Sequence, residues 1–489
     1  MATLVKLPRS TPGEQGVSEQ GIAKFFEEVE SRRLELHSVM LMRHGSVIAE
    51  HWWKPFAPDK PHMLFSLSKS YTSTAIGLAV DEGLLSEDDT VISFFPEYIT
   101  PAIEDNLRDV RIRHLLSMST GHVEDTMPYL HRAEDGDWVR AFLSVPIERE
   151  PGTHFLYNTG ATYMLSAILQ RVSGETLLDY LKPRLFDPLG ISNPTWQVCP
   201  RGVNTGGFGL SIRTEDIAKF GELYLRKGVW GDLQLVPSDW IDTATRSHIS
   251  NGDGGASDWA QGYGYQFWRC RHNAYRGDGA FGQFCVVMPE QDAVLAITSG
   301  LQNMQGVLNI VWDTLLPAMS GSGRGESAEV EDRGSSGGAS MLYRVSDAIR
   351  GPEGIETGVR TVPDWAGQWY RFDENPFSLT RAKLDFAEDG FHFSLVFDQM
   401  EWTFRGAYLE WLGGQRGQRT PQELVQEVAV QGGWRDSSTF VCAICFSESP
   451  FTYTFEVSSA DGGISLSIQP NVGFEPKQEA RLHGRLVAT

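Results

Sequence analysis

Apolar and polar positions change rhythm several times along the chain, and each change predicts a different kind of element. Ser38-Val39-Met40-Leu41-Met42-Arg43 and Val47-Ile48-Ala49-Glu50-His51-Trp52-Trp53 flank His44-Gly45-Ser46, which reads as strand, tight turn and strand, with a helix ahead of them. From Ser68 to about Arg246 the spacing becomes helical: Ala75, Leu78 and Ala79 recur three to four apart, as do Ile217, Phe220, Leu223 and Tyr224. Strand-like runs return at Tyr263–Trp268, Phe284–Met288 and Ala293–Thr298, the last two joined by a turn at Pro289-Glu290-Gln291-Asp292. Val307–Leu316 then reads as a buried helix. Strands from both ends of this region are expected to share one antiparallel sheet flanked by helices, with a helical subdomain between them, an α/β arrangement.

Between Ser320 and Ser340, Gly, Ser and charged residues displace every large apolar side chain but Val330. Such a stretch buries too little surface to offset its ordering entropy. It is expected to be a linker over residues 320–341, separating a domain at 1–319 from one at 342–489. In the second part period-two alternation dominates, in Phe391–Leu395, Phe451–Val457 and Ile464–Ile468, the pattern of an all-β barrel or sandwich. Cys442-Ala443-Ile444-Cys445 resembles a metal knuckle, but on a strand the two sulfurs point to opposite faces. Trp402, Trp411 and Trp434 are expected in the core rather than on a binding surface.

Composition narrows the function. A chain of 489 residues has room for two or three domains, and no apolar run approaches the ~18 residues of a membrane span. Lys+Arg 42 against Asp+Glu 63 gives a net charge of -21. Without a basic patch such a chain repels nucleic acids and anionic membranes. Five cysteines, an odd number, argue against a disulfide framework. The start of the chain lacks the apolar run of a secretory signal, so the cytoplasm is the expected compartment. Neither a phosphate-binding Gly-x-x-x-x-Gly-Lys-Ser/Thr nor His-Glu-x-x-His occurs, and no metal or organic cofactor is expected. The expected partner is a small ester, amide or short peptide; self-association stays open.

Three segments carry chemistry. Phe65-Ser66-Leu67-Ser68-Lys69 opens a helix that runs to Gly83, and a hydroxyl and an amine three apart there lie on one face. A desolvated lysine near the positive end of a helix can be neutral enough to take the Ser66 proton. A chain of this length contains roughly one or two Ser-x-x-Lys matches by chance; here there is one, right after a hairpin. The second segment, Pro151 to Gly160, delivers Tyr157 at a turn before a helix; beside an ammonium its phenolate would be stabilised and could shuttle a proton. The third, Gly277-Asp278-Gly279-Ala280-Phe281-Gly282, formally matches a dinucleotide fingerprint but runs into a strand, not a helix. Its glycines are expected to let a substrate lie along a strand edge. Gly334-Ser335-Ser336-Gly337-Gly338 lies in the linker and lacks the strand–turn–helix of a nucleophile elbow.

The order Ser66-x-x-Lys69, Tyr157-Asn158-Thr159, Gly277-Asp278-Gly279 resembles the serine β-lactamase and penicillin-binding-protein superfamily, in particular its class C-like branch with esterase and D-aminopeptidase members. Ile112–Gly121 and Gly207-Phe208-Gly209-Leu210-Ser211 look like the same branch, and the likeness spans about residues 15 to 317. The resemblance implies a β-lactamase/transpeptidase-like fold with Ser66 acylated and Lys69 and Tyr157 moving protons. It also implies an oxyanion hole from the N–H groups of Ser66 and Ala280, and substrate contacts at Asn158, Thr159, Gly277, Asp278 and Gly279. Two positions depart from the pattern: Thr159 stands where the second motif usually ends in Asn, and Gly277 where the third usually begins with Lys or His. Arg276, one place earlier, should face away on a strand. Ester or amide hydrolysis is therefore expected over β-lactam hydrolysis; the alternative is a penicillin-binding sensor that deacylates slowly.

Overall fold

The structure is a computed structural model that describes residues 6–320, 345–357, 362–398, 400–419, 425–474 and 479–487. The Gly/Ser-rich stretch lies, apart from Ser320, outside the described residues. Strands that are apolar on both sides need cover on both faces, and the central sheet has it. Ser46–Trp52, Leu36–Arg43, Ala293–Ser299, Gln283–Met288, Tyr275–Gly279 and Trp268–Arg269 lie side by side in one six-stranded antiparallel sheet, so the two ends of the region meet as expected. Met40, Met42, Val287 and Val294 face the core shared with the helical subdomain. Leu41, Val286, Leu295 and Ile297 face the opposite core, under the helices Glu19–Ser31 and Met304–Ile310.

Sequence rhythm misplaces one strand. Of Tyr263–Trp268 only Trp268 is in a ladder strand, Trp268–Arg269. Gln266 adopts a left-handed backbone with φ 65, because its buried carboxamide donates to the carbonyls of Leu115 and Leu116 and accepts from Thr162 Oγ1. The side-chain bonding of one residue overrides the alternation around it. The expected helix at Val307–Leu316 begins at Met304 and passes through a wider turn at Val311–Leu315 before ending at Ser320.

The second unit is a barrel. Among the described residues its ten strands run in the order Met400–Tyr408, Gly390–Phe397, Leu379–Ala387, Tyr370–Arg371, Ala480–Leu486, Gly463–Pro470, Thr452–Ala460, Thr439–Phe446, Gln426–Trp434 and Leu412–Gly417. A parallel pairing of Ala407 with Gln431 and of Tyr408 with Gly432 closes the ring and leaves Leu412–Gly417 outside it. Cys442 joins the lumen core while Cys445 joins the core beneath the first sheet; both are free thiols. All three tryptophans pack inward: Trp434 is buried, Trp402 packs against the lumen core, and Trp411 leans on the first unit, donating to Ile349 O.

Barrel and first unit are joined close to Ser66. Met63 N donates to Glu448 O at 2.8 Å, Asn471 Nδ2 to Glu35 at 2.8 Å, and Lys60 pairs with Glu427. Phe451 and Phe474 of the barrel meet Phe65 and Phe281 edge-on or tilted, at 4.8 to 6.1 Å between ring centres. Residues 347–349, which follow the Gly/Ser-rich stretch, also belong with the first unit by contact: Lys54 N donates to Asp347 O and Ile349 N to Lys54 O.

Candidate active site

The nucleophile segment starts from an uncommon backbone. Phe65 has φ 48, a left-handed conformation that a bulky residue adopts only when its surroundings enforce it. The short turn Phe65–Leu67 then feeds the helix Ser68–Asp81. That helix is buried on nearly every side from Ser68 to Ala79, although its sequence is rich in Ser and Thr. Buried hydroxyls need partners, and here they act as struts: Ser70 donates to Gln266 O at 2.9 Å and Thr72 to Gly206 O at 2.8 Å. Thr74 bonds Tyr224 Oη at 2.7 Å, and Ser68 Oγ accepts from Leu210 N. The orientation of the helix, and hence of its first turn, is set by these polar ties.

Ser66 is half-buried and Lys69 is buried, with 1% exposure. One helical turn brings Lys69 Nζ to 3.0 Å from Ser66 Oγ. The same ammonium nitrogen donates to Gly207 O at 2.8 Å and approaches Thr159 Oγ1 at 3.5 Å. Burial pulls the lysine pKa down to about 7, against the opposing pull of Asp125 and Asp278. A large fraction of this amine is therefore neutral near neutral pH and free to accept a proton.

Tyr157 differs from expectation in its protonation. Burial pushes its pKa up, and the charges of Asp278 and Asp125 add to that, while a hydrogen bond with Ser66 opposes it. The phenol is thus protonated at neutral pH, with Lys69 Nζ 4.8 Å from the ring centre. The loop that carries Tyr157 is held by the stretch Ile112–Gly121. Leu156 N donates to Met118 O at 2.8 Å, Gly152 N to Ser119 O at 2.7 Å and Arg149 N to Gly121 O at 3.0 Å. Behind the ring, Trp268 stacks on Tyr157 with centres 5.3 Å apart.

Asn158 does not face the site. Its Oδ1 accepts from Thr126 Oγ1 at 2.7 Å and caps the helix Thr159–Ser173 through Ala161 N. The expected substrate contact at Asn158 is thereby corrected: a residue just before a helix is drawn into capping. Thr159 is the one whose side chain faces the lysine. The same loop geometry brings in Asp125, which accepts from Thr159 N at 2.9 Å and lies in the field of both Lys69 and Tyr157. No motif in the sequence singles Asp125 out; a lone acid thirty residues upstream carries no spacing signal.

The glycines of Gly277-Asp278-Gly279 let the nucleophile segment approach the strand closely. A Cβ on Gly277 would stand 2.4 Å from Ser70 Oγ, and one on Gly279 would stand 1.9 Å from Leu64 O. Strand Tyr275–Gly279 thus presses directly on the nucleophile segment, which sets Ala280 beside it. Asp278 is equally inward, bound to Arg276 Nε at 2.8 Å. Arg276 does face away from Gly277, yet it is fully buried over Trp259, and its charge reaches Tyr157. Among the described residues no cluster of three or more His, Cys, Asp or Glu is arranged to hold a metal ion.

Comparison with known proteins agrees with this fold. The Beta-lactamase family model matches residues 23–308. The 6-aminohexanoate-dimer hydrolase of Paenarthrobacter ureafaciens is 26% identical over 309 residues, covering 58% of this chain and 78% of that protein. The lovastatin esterase of Penicillium rubens is 29% identical over 162 residues, 29% of this chain and 40% of its own length. Among solved structures, EstCE1, described as a hydrolase with promiscuous acyltransferase activity, aligns with a TM-score of 0.51 at 21% identity. That alignment covers 62% of this chain and 99% of EstCE1, a likeness of fold.

Proposed function

The chain belongs to the beta-lactamase family and is a serine hydrolase; from that premise we propose that it cleaves a small ester, amide or short peptide through an acyl-enzyme at Ser66. The observation that carries this reading is the 3.0 Å approach of a buried lysine, its pKa drawn down to about 7, to a half-exposed serine hydroxyl. Lys69 takes the Ser66 proton as Oγ attacks the carbonyl carbon. The carbonyl oxygen becomes an oxyanion held by the N–H groups of Ser66 and Ala280. When the tetrahedral intermediate collapses, the bond to the leaving group breaks. The departing oxygen or nitrogen takes a proton from the lysine ammonium by way of the Tyr157 hydroxyl. Water then repeats the sequence with Lys69 as base, releasing the acid and restoring Ser66.

The substrate class follows from what the site lacks. Gly277 leaves no cation where relatives of the pattern hold a carboxylate, and Asp125 and Asp278 add negative charge near Lys69. Neutral esters and amides therefore fit better than substrates with a carboxylate beside the scissile bond. The names of the two relatives, a 6-aminohexanoate-dimer hydrolase and a lovastatin esterase, support ester or amide cleavage. The test is a panel of p-nitrophenyl esters, D- and L-amino-acid amides and nitrocefin against wild type and Ser66→Ala, with mass spectrometry of the trapped acyl-enzyme. Expected are turnover of an ester or amide, an adduct on the Ser66 peptide, and loss of both in the variant. Equal turnover by Ser66→Ala would overturn the proposal, and a burst without steady release would point to a slowly deacylating sensor.

A further inference from the structure

The barrel is filled at one end and open at the other. At the filled end Trp365, Phe386, Phe391, Trp434 and Phe440 interlock, with ring centres 4.8 to 6.3 Å apart. Toward the other end the same inward alternation continues through Phe397, Trp402, Phe404, Phe446 and Phe455, but their rings surround a cavity of about 410 Å³. A barrel of this size either packs its lumen with side chains or holds one small ligand. This lumen does the first over half its length only.

Three observations describe what would fit. The volume falls within the roughly 300–1,000 Å³ of small-molecule sites, and the wall combines aromatic and aliphatic side chains with the polar groups of Ser378, Asp398, Gln418, Arg419 and Tyr453. The Trp402 ring lines the cavity while its indole Nε1 is covered by protein, so this side chain offers the lumen an apolar face and no open donor. At the mouth Asp398 and Arg419 bring opposite charges, so neither sign of net charge is favoured. We propose that the open half of the barrel is a second binding site, for a small, uncharged, largely apolar molecule. The site is separate from Ser66: it lies within the barrel, and two of its lining residues link it to Phe451, Arg419 by stacking at 3.7 Å and Phe446 by donating its N–H to Phe451 O at 2.9 Å.

The probe is 2-nonanone, titrated into the full chain by calorimetry and by tryptophan emission. The expected result is one molecule bound per chain with a change in emission. Trp402→Phe should abolish most of that change. Ile444→Trp, which fills the lumen from a residue lining it, should weaken binding at least about tenfold while p-nitrophenyl ester turnover is unchanged. If Ile444→Trp does not melt cooperatively, Leu395→Phe on another lining position takes its place. Unaltered affinity in the lumen-filling variant overturns the proposal, as does the absence of binding by wild type at saturating ketone. So does binding that survives lumen filling but disappears once a phosphonate occupies Ser66, because the ketone then sits in the catalytic pocket. Failure of the Ser66 reading would leave the lumen titration unaffected.

Discussion

The helix behind Ser66 and the strands of the barrel are both buried, and they are buried by opposite means. From Ser68 to Thr74 the helix carries hydroxyls and an amine into the interior and ties Ser68, Ser70, Thr72 and Thr74 to named partners on other segments. The barrel strands carry rings and aliphatic chains that fill space without fixed directions. Hydrophobic burial is non-directional, whereas a buried hydrogen bond specifies distance and angle. The catalytic helix is therefore held in place to a tolerance that packing alone would not give, and the barrel keeps room for an unfilled lumen.

Four measurements break or sharpen that contrast. The largest effect is expected on the polar side: Lys69→Met should lower kcat/KM by about 10²–10⁴-fold, measured on the best ester of the panel. Next comes Gly279→Ala. Its Cβ would collide with Leu64 O, forcing the strand off the nucleophile segment and costing turnover by about 10²-fold. Third is the pH profile. Lys69 acts as base only when neutral and its pKa lies at about 7. Log kcat/KM should thus rise with slope one through the acid range and level off above that pKa; a flat profile across pH 5–8 would refute Lys69 as base. The smallest effects separate the two regions directly. Thr72→Val leaves Gly206 O unpaired and should cost about 1–3 kcal/mol by denaturant unfolding together with some turnover. Phe440→Leu in the barrel should cost under about 1.5 kcal/mol and leave turnover as it was.

The legibility of the site follows the same division between local and long-range causes. Ser66 and Lys69 stand out because one helical turn is a fixed distance, so their spacing already implies contact. Tyr157 is marked by the turn that precedes its helix, the first sheet by its apolar runs and the barrel by its alternation. Asp125 is invisible because its approach to Lys69 depends on how the loop around Thr126 closes on Thr159. Gly277 and Gly279 are legible as places of close approach, but whether substrate or protein makes that approach depends on how strand and helix pack. Tyr263–Phe267 reads as strand because alternation is counted along the chain, whereas Gln266 answers to carbonyls about 150 residues away.

What the sequence by itself determined is whatever repeats within a turn or a strand: the paired hydroxyl and amine, the doubly covered sheet, the alternating barrel. Tertiary structure alone decided the electrical state of the site. Whether Lys69 is charged and Tyr157 protonated depends on how much water reaches them and which carboxylates stand near, and those neighbours come from remote segments. Desolvation is a property of the surrounding volume, so no spacing along the chain encodes it.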